Sequence, residues 1–517
     1  MRPFVKSTDD GLIIRGLSLL EHPGMAPFVR SNGPMTFRAH PDDEFLLRRD
    51  LDADWPDGPL RPPQLGMEKY HLITPRPYQL ATRRFGKHLL LADEPGLGKT
   101  VEALMFLIDR GLAGIIVCRA SSKSQWVDLA SRMGLRPQVP TRRKEMEDMV
   151  PPKMMTPLIL HYEQLNYLRP VDIAELVKAR LGKVGVVLDE CHAIKNPGAA
   201  RTYTAWERFH SVPYKVLISA TPIRNRTSEL WAQLAFLDPE RFGSWPQFAM
   251  RYCDGRWVKV KGVEERVLQA DGTSNWDELL LRLQPILLRR SYSEVGLELP
   301  PITRTLLPLA FKSGSMDREE GEFLRAIREW VKVLRSSGIS SLHRNDVLAA
   351  ITRFKHASAV EKLPMVREWL MGRGQVVVLT SFATVAAELY KQMPESLLLT
   401  GAIPLPQREA LLEQFRESEL PLIATIATGG EGLNLQSGHE VAFIDLPWSP
   451  SEILQAEQRV WRQGQEHPVV ATYFVRKGKA EEHIVRTLLG KENSNPLGGQ
   501  YRDTFEGLLS ILTEVGE

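Results

Sequence analysis

The sequence predicts an α/β fold: two tandem lobes built on parallel sheets, a mostly helical middle section between them, and a small N-terminal extension. Three observations predict it. A first series of apolar runs (88–93, 114–118, 158–162, 184–190 and 215–221) alternates with helical stretches. A second series (375–381, 396–401, 420–428, 440–447 and 468–475) repeats the alternation. Leu89–Thr100, LLLADEPGLGKT, reads as a strand, a glycine loop and the start of a helix. Continuous apolar runs separated by helices are the pattern of strands covered on both faces, as in a parallel sheet.

At 517 residues the chain exceeds one ordinary core, and about three to four domains are expected. Residues 1–69, rich in turn formers and charge, form an accessory extension in which Leu12–Leu20 supplies a strand and a small helix. It is either an ordered arm or a substrate-contacting module. The first lobe covers 70–240, a helical linker or insertion region 241–365, and the second lobe 366–490. Met316–Leu334 has helical periodicity with many charges, which predicts a surface helix. The tail, 491–517, follows a helix over Ala480–Leu489 and holds the loop NSNPLGG and an amphipathic piece, Tyr501–Leu512.

A composition of 43% hydrophobic and 25% charged residues fits a globular chain, and no apolar run approaches the ~18 residues of a membrane span. The N-terminus, MRPFVKSTDDG, lacks the apolar core of a signal peptide, so an intracellular, cytoplasmic location is expected and no membrane partner. Cys118, Cys191 and Cys253 are dispersed, which fits a reducing compartment and argues against structural zinc. A net charge of +3 permits nucleic-acid binding without demonstrating it. Nothing in the sequence indicates an oligomeric state.

The glycine loop carries the first chemistry. Gly96 and Gly98 let backbone N–H groups approach phosphate oxygens, and the helix N-terminus adds partial positive charge. Lys99 would neutralise the β- and γ-phosphates of a nucleotide, and the Thr100 hydroxyl would ligate Mg²⁺. The strict pattern has glycine where this chain has Asp93. Asp189-Glu190, in LDECH at the end of an apolar run, offers one carboxylate for Mg²⁺ and one to polarise the attacking water. Asp189 is assigned to the metal and Glu190 as general base. Cys191 and His192 have no second Cys/His pair at zinc-ligand spacing, so His192 reads as a hydrogen-bonding relay. Ser219-Ala220-Thr221 could pass on a change at the γ-phosphate. In QAEQRVWRQGQ, Arg459 and Arg462 are three apart on one predicted helical face, and such arginines stabilise a transferring phosphoryl group.

Gln79 in RPYQ, DEPGLGKT, DECHAIKN, ISATPIRN, LLRRSYSEVGLELPP, GGEGLNL, DLPWSPS and QAEQRVWRQGQ follow in order. Over roughly 70–490 the chain resembles the Swi/Snf branch of superfamily-two helicase-type ATPases, the double-stranded-DNA translocases, in the form of a compact bacterial or phage-like member. The resemblance implies two RecA-like lobes, ATP and Mg²⁺. It implies adenine recognition by Arg76 and Gln79, and phosphate binding by Gly96, Gly98, Lys99 and Thr100. Metal and water chemistry would fall to Asp189 and Glu190, with Gly432 on the far wall of a cleft and Arg459 and Arg462 reaching across it. DNA-backbone contacts would come from Ser121, Lys123 and Tyr162 in the first lobe and from Ser381, Thr425 and Trp448 in the second. Trp448 alone would otherwise read as a core residue.

The chain departs from the family pattern at Pro95, at Arg119-Ala120, at Ile426-Ala427 and at Trp461, and none of these is expected to touch the catalytic set. The implied activity is ATP-driven translocation on duplex DNA that remodels DNA structures or protein–DNA complexes. Double-stranded or branched DNA, and a DNA-bound protein, are the implied partners. A strand-separating or branch-acting helicase and an ATP-switched clamp are the alternatives.

Overall fold

The computed structural model describes residues 4–8, 11–15, 29–31, 36–39, 72–147, 151–223, 226–259, 266–270, 272–311, 317–337, 341–429, 435–446 and 450–490. Residues divide into two compact units. The first holds Met1–Pro222, Ser228–Tyr252 and Ser274–Glu298; the second holds Ile223–Thr227, Cys253–Thr273 and Leu299–Glu517.

In the extension, β1 (Phe4–Thr8), β2 (Gly11–Arg15), β3 (Val29–Ser31) and β4 (Thr36–Ala39) form an antiparallel sheet in the order β1-β2-β4-β3. The strand expected within Leu12–Leu20 is thus part of β2, and the small helix expected after it lies outside the described residues.

The first unit is organised by a six-stranded parallel sheet. Its strands are β5 (His88–Leu91), β6 (Ala113–Cys118), β7 (Leu158–His161), β8 (Val184–Asp189), β9 (Tyr214–Ile218) and β12 (Leu287–Leu288). They lie in the order β12-β5-β9-β8-β6-β7, which puts β5 and β8 near the centre with β9 between them. Because parallel strands need crossover helices on both faces, every residue of β6 is buried, as are the first five of β8. The helix Lys99–Asp109 crosses this sheet with Glu102 through Ile108 all buried. It comes so close that a Cβ on Gly114 or Gly185, paired across β6 and β8, would lie 2.8 or 2.7 Å from the Leu107 side chain. Glycine in two adjacent strands is what lets this helix, and the loop in front of it, sit at that depth.

The second unit repeats the architecture with β13 (Ile302–Leu309), β14 (Val376–Thr380), β15 (Leu397–Leu399), β16 (Leu422–Thr425), β17 (Glu440–Phe443) and β18 (Val469–Arg476). All pairs are parallel, in the order β13-β18-β17-β14-β16-β15. Phe443 and Tyr473 stack at 5.0 Å inside the sheet. Against it packs the long helix Ser341–Leu370, whose fully buried Lys362 donates to the carbonyls of Ile444 and Phe474, each at 2.8 Å, and pairs with Glu481. Helix Asp317–Ser337 covers the surface stretch expected to be helical, and it buries Phe323 in a 4.7 Å stack on Phe354. The final described helix, Ala480–Gly490, matches its expectation, while Tyr501–Leu512 lies outside the described residues.

Each of the ten predicted apolar runs contains a strand. The lobes nevertheless draw on residues outside 70–240 and 366–490, because β12 completes the first sheet and β13 the second. Among its described residues the middle section also holds helices, among them Trp245–Tyr252, Trp276–Leu283 and Asp317–Ser337, and a hairpin of β10 (Arg256–Lys259) with β11 (Arg266–Gln269). Among the described residues no helix is long and apolar enough to cross a membrane.

Candidate functional site

The loop after β5 is shaped by two left-handed glycines, Gly96 (φ 88°) and Gly98 (φ 85°), conformations that cost a side-chain-bearing residue about 1 kcal/mol or more. Gly98 is further constrained, since a Cβ there would stand 2.4 Å from Nε2 of Gln79. The Gln79 amide joins two candidate adenine-side residues to the loop: Nε2 donates to the Leu97 carbonyl at 3.2 Å and Oε1 accepts from the Arg76 N–H at 2.9 Å. Lys99 opens the helix and folds back so that Nζ donates to the carbonyls of Asp93 (2.7 Å) and Glu94 (3.0 Å). Burial pulls its pKa below the ordinary value, opposed by the charges of Asp93, Glu190, Asp189 and Glu102. Thr100 follows, half-buried in the first helical turn, where the N–H groups lack intrahelical acceptors.

Asp93, the departure from the glycine pattern, is fully buried against the equally buried Arg290, whose Nε lies 3.2 and 3.1 Å from its two oxygens. Arg290 also pairs with Glu102 in the helix and donates to the Tyr78 carbonyl. Burial works against the guanidinium charge, but Asp93 and Glu102 outweigh it and hold the pKa above its ordinary value.

β8 ends at Asp189, and Glu190 turns out of the strand in the left-handed region (φ 49°, ψ 54°). A non-glycine residue there stores about 1–3 kcal/mol, which the surroundings must enforce. They do so with three contacts on Asp189. Its Oδ1 accepts from the Glu190 N–H (3.0 Å), its Oδ2 from the indole of Trp126 (2.9 Å), and its carbonyl from the hydroxyl of Tyr162 (2.8 Å). Burial, then the neighbouring Glu190 charge, push the Asp189 pKa up to about 6.

Glu190 is the more stable anion of the pair. Burial would raise its pKa, but the hydrogen bond from His192, with the positive charges of Arg119 and Lys99 beside it, brings it down to about 2. His192 Nδ1 lies 3.1 Å from Glu190 Oε2 and 3.3 Å from Ser219 Oγ, and Ser219 Oγ lies 3.4 Å from the same carboxylate. On the other side of the ring, Nε2 is 2.9 Å from the guanidinium of Arg119. An arginine only donates, so Nε2 accepts and the ring proton sits on Nδ1, directed at Glu190. The relay expected of His192 therefore has a definite polarity. Arg119, expected to lie clear of the catalytic set, contacts it through this ring. Cys191 is buried with its thiol on Gln233 Oε1 (2.9 Å), a packing role rather than a ligand's.

The remaining candidates divide. Ser121 is half-buried beside Lys123, whose Nζ is bonded to the Pro140 carbonyl (3.2 Å) and Gln164 Oε1 (3.1 Å). Tyr162 is 4% exposed with its hydroxyl on Asp189, so the backbone-contacting position expected for it is replaced by a brace under the acidic pair. Thr425 is 5% exposed with its hydroxyl on Thr428 (2.8 Å), which removes it from the surface as well. Ser381 is half-buried. Its N–H donates to Asp445 (2.9 Å), and its hydroxyl accepts from Lys355 (3.3 Å), which sequence reasoning passed over. Gly432 and Trp448 lie outside the described residues.

Arg459 and Arg462 are half-buried, but not on a helix. The helix Pro450–Glu457 stops short of both, and the Arg459 carbonyl accepts from Leu435 N–H (3.1 Å) instead of continuing it. Buried Glu457 anchors this turn through a bidentate pair with Arg304 (2.8 and 2.7 Å) and a bond from Tyr473. The departure at Trp461 has a partner: its indole N–H donates to the Pro300 carbonyl at 2.7 Å.

In the first unit, a lysine held only by carbonyls, a helix N-terminus and two left-handed glycines suit a polyphosphate. Asp189 and Thr100 are oxygen donors, and no group of three His, Cys, Asp or Glu among the described residues could cage a metal. Oxygen donors of this kind suit a hard divalent cation such as Mg²⁺.

Comparison with known proteins adds a family. The SNF2-related domain matches residues 78–358, and the helicase conserved C-terminal domain matches 359–464. The chain is 26% identical over 434 residues to the DNA annealing helicase and endonuclease ZRANB3 of Mus musculus, covering 77% of this chain and 38% of that protein. To the uncharacterized ATP-dependent helicase YqhH of Bacillus subtilis (strain 168) it is 26% identical over 509 residues, 89% of this chain and 88% of the other. The SWI2/SNF2 ATPase core of Sulfolobus solfataricus in complex with dsDNA aligns over 86% of this chain and 96% of its own, with 20% identity and a TM-score of 0.38. The chain spans 38%, 42% and 37% of the length of three curated relatives, two ZRANB3 proteins and a SWI/SNF-related subfamily A-like protein 1.

Proposed function

This chain belongs to the SNF2-related family, and from that premise we propose that it is a DNA-dependent ATPase that translocates on double-stranded DNA and remodels DNA structures or protein–DNA complexes. One observation carries the reading: Glu190 is held ionised in a strained strand-end conformation beside Asp189 and the Lys99 loop, an arrangement suited to activating water against a nucleotide phosphate.

The first-unit residues have distinct tasks. Gln79 and Arg76 receive the adenine, loop N–H groups and Lys99 hold the phosphates, and Glu190 accepts the proton of the attacking water. His192 steadies the Glu190 carboxylate through its Nδ1–H. Thr100 and Asp189 would hold Mg²⁺, which when bound neutralises charge on the β- and γ-phosphates. From the family resemblance, Arg459 and Arg462 stabilise charge on the transferring phosphoryl group, and Gly432 belongs to the same second-lobe surface. Ser121, Lys123, Ser381 and Trp448 are the residues proposed to face the DNA backbone. ATP as nucleotide, an intracellular setting, and branched DNA or a DNA-bound protein as further partners belong to the same reading. Similarity to a protein named a DNA annealing helicase favours remodelling of DNA structures over bulk strand separation.

The test is steady-state ATPase against duplexes of increasing length, with single-stranded DNA and RNA in parallel. Stimulation that grows with duplex length and saturates supports translocation. Stimulation only by branched or single-stranded DNA moves the reading to a fork-acting helicase, and none from any nucleic acid leaves an ATP switch.

A further inference from the structure

In the first unit, the turn that follows β6 is tied to both acidic residues and carries two of the residues proposed to face DNA. β6 lies beside β8 in the sheet, with Val117 paired to Leu188, so the chain leaving β6 emerges next to Asp189 and Glu190. Arg119 is the first residue out. Its carbonyl accepts from the Ser122 N–H (3.0 Å) and closes the turn Ala120–Ser122, after which the helix Lys123–Arg132 begins at once. From this helix the buried Trp126 indole donates to Asp189 Oδ2 at 2.9 Å. From the turn, the half-buried Arg119 guanidinium lies 2.9 Å from His192 Nε2. Ser121 and Lys123 stand between these two attachments. Lys123 uses two of its three N–H groups on the Pro140 carbonyl and Gln164 Oε1, so among the described residues one remains for a phosphate.

The two attachments are not alike. Trp126 bonds its carboxylate directly from the core, and an indole N–H has one state. The neutral imidazole has two. With Nε2 accepting from Arg119, the ring proton is on Nδ1, 3.1 Å from Glu190 Oε2. With the proton on Nε2, Nδ1 would turn a lone pair toward that carboxylate, acceptor against acceptor. Ser219 Oγ, 3.4 Å from the same oxygen, is the longer contact. The orientation of the base therefore depends on which tautomer the guanidinium selects.

We propose that Arg119 is the positioning residue that makes ATP hydrolysis answer to DNA: it fixes the tautomer in which His192 donates to Glu190, and duplex phosphates on Ser121 and Lys123 raise kcat by keeping the turn, and so the guanidinium, in place. Arg119 is not a catalytic residue; it acts on the base through the ring. The ring's two tautomers supply the two-state element that such coupling needs. This coupling rests on the ATPase reading above. It gives the departure at Arg119-Ala120 a task, since arginine brings Nε2 a donor.

The test measures kcat of the full chain with and without saturating duplex. Arg119→Met should cut the ratio of the two rates by about fivefold or more. The Kd for a fluorescent Mg-ATP analogue and the Kd for labelled duplex should stay within about twofold of the parent. His192→Asn keeps a donor toward Glu190 but has no Nε2 acceptor. In that background, adding Arg119→Met should change kcat by less than about twofold. Arg119→Gln, too short to carry a donor to the ring, covers the case in which Arg119→Met does not fold. An unchanged ratio, or an equal loss with and without the His192→Asn change, overturns the proposal. So does weaker duplex binding with a shallower salt dependence, which would put Arg119 on a phosphate instead. A parent chain that hydrolyses no ATP, or whose hydrolysis ignores DNA, overturns the underlying reading as well.

Discussion

The hydroxyl of Tyr162 donates to the carbonyl oxygen of Asp189 at 2.8 Å, and this carbonyl belongs to the peptide that turns Glu190 into its left-handed conformation. Tyr162 therefore controls the orientation of a carboxylate it never touches. Tyr162→Phe should lower kcat about tenfold while leaving duplex affinity and its salt dependence unchanged. Titrating the variant with labelled duplex at two ionic strengths checks this; weaker binding at unchanged kcat would return Tyr162 to the DNA face.

Glu190→Gln keeps the shape and hydrogen-bonding reach of the side chain but removes the proton acceptor. A general base contributes about 10²–10⁴-fold, so kcat should fall by at least the lower figure, with Mg-ATP and DNA still bound. Single-turnover hydrolysis compared with equilibrium nucleotide binding measures both. Turnover at the parent rate would disqualify Glu190.

Gly98→Ala places a Cβ 2.4 Å from Gln79 Nε2 at a φ of 85°. Relief requires moving Gln79, which links Arg76 to the loop, or the loop itself. Nucleotide affinity should drop tenfold or more, about 1.4 kcal/mol or greater, and the melting temperature should lose the increment that Mg-ATP gives the parent.

Lys215 lies far from this chemistry and reports on the first-unit core. It is 7% exposed, donates to the Phe236 carbonyl at 2.9 Å, and burial lowers its pKa from 10.5 to about 8. Between those values the unfolded chain holds a proton that the folded chain has released, so this residue makes stability rise with pH across that window and leaves its full penalty in place below pH 8. The advantage of Lys215→Met over the parent in urea unfolding should shrink by up to about 3 kcal/mol on going from pH 8 to 10.5. A constant difference would mean the ammonium is solvated.

The strands were legible because parallel strands buried on both faces leave uninterrupted apolar runs, and the loop at Gly96–Thr100 because its geometry demands particular residues in a fixed order. What stayed hidden depends on partners distant in sequence. Arg290 reads as one more basic residue until Asp93, 197 positions away, is seen against it. β13 reads as half-polar because it lies at a sheet edge, and β12 is only two residues long. Tyr162 ends an apolar run next to polar residues, which suggests a surface; its depth beneath Asp189 appears only once β7 and β8 are assembled on either side of β6. The Arg459–Arg462 stretch has helical spacing, but Leu435 and Pro300 draw it into turns.

The edge strands β12 and β13 decide where this chain can be divided. A first-lobe fragment ending at residue 240 would lack β12 and Arg290 and would leave Asp93 and Glu102 as buried anions without their cation. Orphaning one partner of a buried pair costs about 3–5 kcal/mol, much of an ordinary domain's stability. A second-lobe fragment beginning at residue 366 would expose the whole of β18 as an unprotected edge, a template for aggregation. Expression boundaries drawn after Glu298 and before Leu299 would keep each sheet whole. Insoluble products from the shorter fragments would therefore reflect a missing strand, and would say nothing about whether each lobe folds by itself.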